Sequence, residues 1–580
     1  MRLVWGKIQL ITLLITLYAG ISIAQPLAQG QEKFLGCAWS SAQNTDFAKY
    51  FNQVTPENGG KWGTVENTRN VMNWNAMDAA YNLAGNNNYT FKYHTLIWGS
   101  QQPAWIENLD TATQREEIEQ WFALGAARYG NIDYIDVVNE PLHAPPSGAG
   151  HGNYINALGG GGSTGWDWVI RSFRLARKYY PGSKLLLNEY NIVNSVSNTA
   201  DYLEIIRLLM ADSLIDGIGV QGHAFSTYGV SAATIRRNLD SLGATGLPVY
   251  VSELDIDGAT DYAQLKEYQR VFPVFWEHTA VAGVTLWGFR YGLWRNSQKA
   301  YLVNQNGSER IAFDWLKAYV NDTLTVSQSV TIGSDDENDT IFIDETLQLR
   351  AILYPENTTI KNVSWSLLTS GIATINENGL LTPTSTGIVR VHVSSWDAGR
   401  VAVKDIVITN RPVDSIVITL LQDTINTGQY VPVSAIAYPE KATNREIIWT
   451  AIPEGSIDIT DEGLLSPSAT GDITIIATAG DGSGVSDSVR ITVIQPTGIS
   501  ETDNTNFRIY PNPAPDGKFK IENAEGIKSV AIIDLQGRII SEFNGLYQHS
   551  LQVEVSTSPG MYLIRLTDGN RVYYRKIQIE

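Results

Sequence analysis

The chain is 580 residues long, which calls for several cores and leaves no place for a small stapled scaffold. Lys and Arg number 42 against 60 Asp and Glu, a formal charge of −18 with no basic block, and this speaks against nucleic acid as a partner because phosphate binding rests on clustered cations. A single cysteine, Cys37, excludes an internal disulfide and multi-cysteine metal sites, and the seven histidines lack metal-ligand spacing, so no metal or other cofactor is expected.

At the N-terminus Arg2 and Lys7 precede an apolar run from Ile8 to Ile23, and Ser22-Ile23-Ala24 supplies the small residues of a cleavage site, so residues 1–24 read as a secretory signal peptide. The run is at the short edge of the roughly 20 residues that a membrane helix needs, which favours removal over anchoring. No later segment is apolar enough to span a bilayer, and the mature chain is expected to be secreted or held at the cell surface without a membrane span. Cys37 sits in the apolar run FLGCAW and is expected to be a buried thiol.

Between Phe34 and Val320 short β-rich runs alternate with amphipathic helical stretches. FLGCAWS, KYFNQVTPE, FKYHTLIW, IDYIDVVNE, KLLLNEYN, IDGIGVQGH, LPVYVSELD and AGVTLWGF read as strands, with helical patterns such as TQREEIEQWFALGAARY and DYAQLKEYQRVFPVFWEH between them. About eight strands alternating with helices over about 290 residues predict a (β/α)8 TIM barrel, class α/β. A doubly wound open sheet lacks support, because no Gly-rich phosphate turn follows the first strand. The run ALGGGGSTGW has no GK[ST] ending and reads as a loop bordering the cleft, and the prolines around His143 in NEPLHAPP suggest a rigid turn.

After Val320 the helical patterns stop. Tyr354-Pro355, Trp365, Gly379-Leu380 and Gly387 recur as Tyr438-Pro439, Trp449, Gly463-Leu464 and Gly471, always 84 residues later, so two copies of one all-β domain follow each other. Trp365 and Trp449 occupy one repeat position inside alternating runs and are expected to be core residues. Past the polar stretch 497–506, a further small all-β unit runs to Glu580.

In such a barrel the reacting groups project from the C-terminal strand ends. This chain closes its strand-like runs with His94 and Trp98, Asn139 and Glu140, Asn188-Glu189-Tyr190, Gln221 and His223, Glu253 and Asp255, and Trp287. Two carboxylates, Glu140 and Glu253, on the fourth and seventh strands and flanked by Trp and amide side chains suit glycoside hydrolysis, in which one acid protonates the leaving oxygen and a carboxylate attacks or activates water.

DVVNE ending at Glu140, VSELD with Glu253, TPENGGKW at 55–62, HTLIW at 94–98, GVQGHAF at 219–225 and VTLWGF at 284–289 together resemble glycoside hydrolase family 10, the retaining endo-β-1,4-xylanases. The resemblance implies a cofactor-free enzyme acting on xylan or related hemicellulose, with Glu140 as general acid/base and Glu253 as nucleophile. It implies that His223 holds the nucleophile, that Asn139 holds the sugar 2-hydroxyl, and that Glu57, Asn58, Lys61, His94, Trp98, Gln221, Trp287 and Trp294 bind substrate; for Trp294 plain packing is an equal alternative. The family places a histidine directly after the tryptophan of HTLxW, where this chain has Gly99. That departure implies a roomier or differently wetted cleavage subsite and leaves β-1,4-glucan and mixed-linkage glucan open as alternative substrates. A non-catalytic polysaccharide-binding surface protein is the remaining alternative, against which the joint presence of Glu140, Glu253, His223 and Asn139 argues.

The two repeats resemble bacterial immunoglobulin-like group 2 domains, which are commonly spacers or adhesive modules. YPNP at 510–513, LQGR at 535–538 and SPGMYLIRL at 558–566 resemble the C-terminal sorting domain of type IX secretion, which implies that machinery as a partner and export across an outer membrane. The expected division is a signal peptide at 1–24, the catalytic barrel at 29–322, immunoglobulin-like sandwich domains at 323–410 and 411–496, and the sorting domain at 505–580, with a monomer as the default.

Overall fold

A computed structural model describes residues 25–130, 132–147, 153–334, 338–495, 507–544, 549–569 and 571–580; the signal peptide expected at 1–24 lies outside the described residues. Eight parallel strands close into a barrel in sequence order: β1 (Phe34–Trp39), β2 (Gln53–Pro56), β3 (Thr90–Trp98), β4 (Tyr134–Asn139), β5 (Lys184–Glu189), β6 (Gly217–Val220), β7 (Val249–Leu254) and β8 (Val281–Leu286), with β8 pairing back onto β1. Strands covered on both faces carry near-continuous apolar runs. Their outward residues, among them Leu35, Cys37, Val54, Phe91, Tyr93 and Ile135, join the helices in one large core.

The barrel interior is packed in layers. At its N-terminal end Phe34 stacks on Tyr250 with ring centroids 6.0 Å apart, and Tyr134 closes the group 4.9 Å from Tyr250. Glycines on neighbouring strands make room for large inward side chains: a Cβ at Gly283 would lie 2.4 Å from the Phe34 ring, and one at Gly36 only 1.8 Å from the Gln53 side chain.

Several helices start where side chains cap them. Asp110 accepts from the backbone N–H groups of Ala112 and Thr113 at the head of Thr111–Arg128, and Thr260 accepts from Ala263 at the head of Asp261–Trp276. Helices Asn75–Asn87, Ala232–Gly243 and Ile311–Val320 were not among the patterns singled out from sequence. The first buries only Met77, Ala80 and Ala84, so its apolar face is drawn mostly in alanine and leaves little periodic signal.

The repeats fold alike. In the first copy one sheet orders Thr340–Phe342, Val401–Thr409, Gly387–Ser395 and Val363–Leu367, and in the second copy Thr424–Asn426, Ser486–Ile494, Gly471–Ala479 and Ile447–Ile452 take the same places. The opposing four-stranded sheets correspond in the same way. Trp365 and Trp449 are partly buried against the cores of their copies, as expected. Trp396 of the first copy belongs to the compact unit that holds the barrel; its ring lies 5.3 Å from that of Tyr262, and the Asp397 carbonyl beside it accepts from Lys266 and Gln269. Among the described residues of the C-terminal unit, the strands from Arg508–Tyr510 to Val572–Ile579 form a three-stranded and a four-stranded antiparallel sheet. Among the described residues no helix is long and apolar enough to cross a membrane.

Candidate active site

Breaks in strand register bring the functional side chains to the barrel mouth. Pairing shifts between His94 and Ile97 on β3 and between Asp136 and Val138 on β4, so Asn139 and Glu140 turn into the cavity immediately past an apolar run. Glu140 itself adopts a left-handed φ of 56°, a conformation that costs a non-glycine residue about 1 kcal/mol. All twelve residues singled out from sequence line one cavity of about 430 Å³: Glu140 and Glu253, with Glu57, Asn58, Lys61, His94, Trp98, Asn139, Gln221, His223, Trp287 and Trp294.

Side-chain amides join the two glutamates. Asn188 Nδ2 donates to Glu253 Oε1 at 2.7 Å and to Asn139 Oδ1 at 2.8 Å, while Asn139 Nδ2 reaches Glu140 Oε1 at 3.3 Å. Gln221 donates to Glu140 Oε1 at 2.8 Å, and Trp98 Nε1 donates to Oε2 at 3.0 Å. His223 places Nε2 3.4 Å from Glu253 Oε2, and its Nδ1 lies 2.7 Å from Asp255 Oδ2. Asp255 also accepts from the Ala224 N–H and from Trp294 Nε1, at 2.7 and 3.0 Å.

These surroundings drive the two carboxyls apart. Burial pushes Glu140 up to about 7, reinforced by the charges of Glu253 and Glu189 and opposed by the hydrogen bonds from Gln221 and Trp98. Burial would raise Glu253 too, but the charge of His94, the hydrogen bond and charge of His223, and the charge of Lys92 outweigh it and bring Glu253 down to about 2. His223 sits at about 9: burial lowers it, and Asp255 and Glu253 more than compensate. Burial also raises Glu57 and lowers Lys61, each opposed by the other's charge. Lys61 donates to Asn58 and stands 4.8 Å over the Trp98 ring.

Trp287 is buried, edge-on to His94 at 5.2 Å, whereas Trp294 is 48% exposed. Its ring lies 4.8 Å from that of His223, so it both packs on the site and lines the cavity. The roomier subsite expected at Gly99 is corrected. A Cβ there would come within 2.2 Å of the carbonyl oxygens of Ala144 and Pro145, and the Gly99 N–H donates to Ala144 O at 2.8 Å, so the loop following Glu140 already fills the space. His143 helps shape that loop: its Nδ1 lies 2.9 Å from the fully buried Glu189, which also accepts from the Leu142 and Tyr190 N–H groups. The glycine-rich run is latched to Asp167, which accepts from the N–H groups of Ser163 and Thr164. Asn188, Asp255, Gln101, Tyr190 and Phe225 were given no role from sequence. Asn188, Asp255 and Tyr190 close strand-like runs, Gln101 reaches the cavity from a loop, and Phe225 from the short helix Ala224–Thr227.

The model of the family described as Glycosyl hydrolase family 10 matches residues 23–319. Residues 322–406 match the Bacterial Ig-like domain (group 2), and residues 508–580 match the Secretion system C-terminal sorting domain, which marks proteins for export by type IX secretion. Endo-1,4-beta-xylanase B of Cellvibrio japonicus is 41% identical over 291 residues, 49% of this chain and 45% of that protein, so the chain spans less than half of that relative's length. Endo-1,4-beta-xylanase 3 of Hypocrea jecorina is 32% identical over 269 residues, covering 45% of this chain and 73% of that protein. The solved structure of a GH10 protein from Paenibacillus barcinonensis is similar at 26% identity with a TM-score of 0.46, over 52% of this chain and 98% of that one. With the family match running over more than half of the 580 residues and ending where the last barrel helix, Ile311–Val320, ends, the chain belongs to glycosyl hydrolase family 10.

Proposed function

We propose that the chain is an exported, retaining endo-β-1,4-xylanase in which Glu253 is the nucleophile and Glu140 the general acid/base. The observation that carries this reading is the opposite drift of the two carboxyls, about 2 for Glu253 and about 7 for Glu140, which divides them into a standing anion and a standing acid at mildly acidic pH. Glu253 attacks the anomeric carbon while the Glu140 proton passes to the glycosidic oxygen, and the leaving chain departs as an alcohol. Water then attacks the glycosyl-enzyme, giving its proton back to Glu140, and the sugar is released with its original anomeric configuration. Asn139 is proposed to hold the 2-hydroxyl, His223 to orient Glu253, and the remaining cavity residues to bind the chain. The names of the similar xylanases support xylan as the polymer.

The division into a signal at 1–24, a catalytic domain at 29–322, Ig-like domains at 323–410 and 411–496, and a sorting domain at 505–580 is proposed with it. The 84-residue offset between corresponding strands supports a second Ig-like copy. The test is release of reducing ends by the full chain from xylan, arabinoxylan, mixed-linkage glucan and cellulose, with the first anomer read by proton NMR. Short β-configured xylo-oligosaccharides are expected. Inverted products overturn the mechanism, and turnover confined to glucans overturns the substrate. Glu140→Ala should lose far more activity on xylan than on activated aryl glycosides, whereas Glu253→Ala loses both; equal losses from Glu140→Ala overturn the division of roles.

A further inference from the structure

Below the cavity floor the barrel holds an ammonium group that the proposed reaction does not use. Lys92 lies two residues before His94 on β3, hence on the same inward face, and its side chain is 4% exposed. Its Nζ is 3.1 Å from Asp136 Oδ2, and that same oxygen is 2.9 Å from His94 Nδ1. Asp136 is fully buried, and among the described residues its other oxygen, Oδ1, accepts no hydrogen bond. His94 Nδ1 in turn stands 4.0 Å from Glu253 Oε1. An ammonium, a carboxylate, an imidazole and the Glu253 carboxylate thus follow one another from the barrel's middle to its mouth.

The middle layer of such a barrel is ordinarily filled by branched apolar side chains. A buried ion pair in their place is poor value for stability, since desolvating two charges costs several kcal/mol that their attraction repays only in good geometry. Here Lys92 reaches Asp136 without a well-formed hydrogen bond and Asp136 keeps an oxygen unsatisfied, so stability alone is a weak reason for the pair. Its place among the charges of the site is the other observation. Glu253 faces Lys92 and His94 from β3, Asp136 and Glu140 from β4, and Lys61 from the segment after β2. From β6 and β7 it faces His223 and Asp255. Three of these seven neighbours and Glu253 itself are carboxyls, and Lys92 is a buried cation among them, paired with Asp136 rather than with solvent. After His94 and His223, the charge of Lys92 helps to hold Glu253 below its ordinary range against burial.

We propose that Lys92 is a positioning residue for the nucleophile: its ammonium pairs with Asp136, Asp136 fixes the ring orientation of His94 through Nδ1, and the array holds the Glu253 carboxylate in place. The proposal rests on the reading of Glu253 as the nucleophile. Lys92→Met keeps the length of the side chain and removes the charge. In the full chain it should move the acidic half-maximum of kcat/KM upward by about one pH unit or more, the reach of an opposite charge on a buried carboxyl, and leave the basic limb set by Glu140 in place. Because Lys92→Met leaves Asp136 buried and unpaired and can fail to fold, the pair Lys92→Met with Asp136→Asn is measured beside it. The double variant should fold and lose about tenfold or more in the rate of glycosyl-enzyme formation, because His94 is no longer anchored, while KM holds. Trapping with a 2-deoxy-2-fluoro xyloside and mass analysis of the labelled peptide separates the two readings. A label absent from Glu253 in the wild type overturns the nucleophile assignment. A label present on Glu253, with an unmoved acidic limb in Lys92→Met or an unchanged glycosylation rate in the double variant, overturns the role of Lys92 alone.

Discussion

Replacing Glu140 by Gln removes one ionisable group with little change of shape, and so isolates what the fold loses by holding an acid at that place. The left-handed φ of 56° is common to both residues and cancels. In an unfolded chain the carboxyl titrates at 4.5; in the cleft burial lifts it to about 7. The native state therefore binds the proton more tightly than the unfolded chain, and between these two values every rise in pH favours unfolding. At about 1.4 kcal/mol per unit, the separation is worth about 3.4 kcal/mol, nearly all of it expressed at pH 8 and only about 0.8 kcal/mol at pH 5. The stability of Glu140→Gln relative to wild type should thus improve by about 2.5 kcal/mol from pH 5 to pH 8. A barrel of about 290 residues unfolds with about 0.6 kcal/mol per kelvin of entropy, so the difference in Tm should shift in the variant's favour by about 4 °C. Any constant offset, such as the mismatch between the Gln amide and the Trp98 N–H, leaves this slope untouched. Tryptophan-fluorescence melts of both full-length proteins at several pH values between 5 and 8 read it directly. Parallel Tm curves across that range would refute the reasoning, because they would mean that Glu140 titrates alike in the folded and unfolded chain.

Other outcomes follow from the same geometry. The kcat/KM profile of the wild type should fall tenfold per unit above a basic half-point near pH 7, where Glu140 loses its proton, and hold on the acidic side until Glu253 protonates towards 2; a basic half-point near 4.5 would contradict the environment of Glu140. Gly99→Ala should lower Tm by overpacking, at about 1 to 3 kcal/mol, and reduce kcat with it, because its Cβ meets the backbone of the loop that follows the acid; an unchanged melt would show that the loop yields freely. Asp255→Asn should bring the His223 imidazole titration, followed by NMR, down from about 9, since Asp255 is its main source of stabilisation as a cation.

The strand-end residues were legible because a parallel barrel converts sequence position into place: whatever polar group closes an apolar run must arrive at one mouth. That rule reached Glu140, Glu253, His94, Trp98, Asn139, Gln221, His223 and Trp287, whereas Glu57, Asn58, Lys61 and Trp294 were legible only through the family resemblance. The Gly99 subsite was misjudged because what fills it is backbone from residues 144 and 145, some 45 positions away, which no local pattern records. Glu189 closes a strand like the others, yet it faces the His143 loop, because the side chain after Asn188 points to the opposite side of β5.

Lys92 and Asp136 escaped notice for a subtler reason. In an ordinary sheet, a lysine alternating with aromatics in FKYHTLIW marks the face turned to water, and IDV reads the same way. In a closed barrel both faces of β3 and β4 are covered, by helices outside and by the other strands inside, so the alternate residues that look solvated are instead enclosed. Alternation that signals exposure in an open fold therefore signals buried charge here, and the inward face that carries His94 to the site carries Lys92 and its partner one layer beneath it. One of the charges that acts on Glu253, Lys92, is thus one which the pattern of the sequence assigns to solvent.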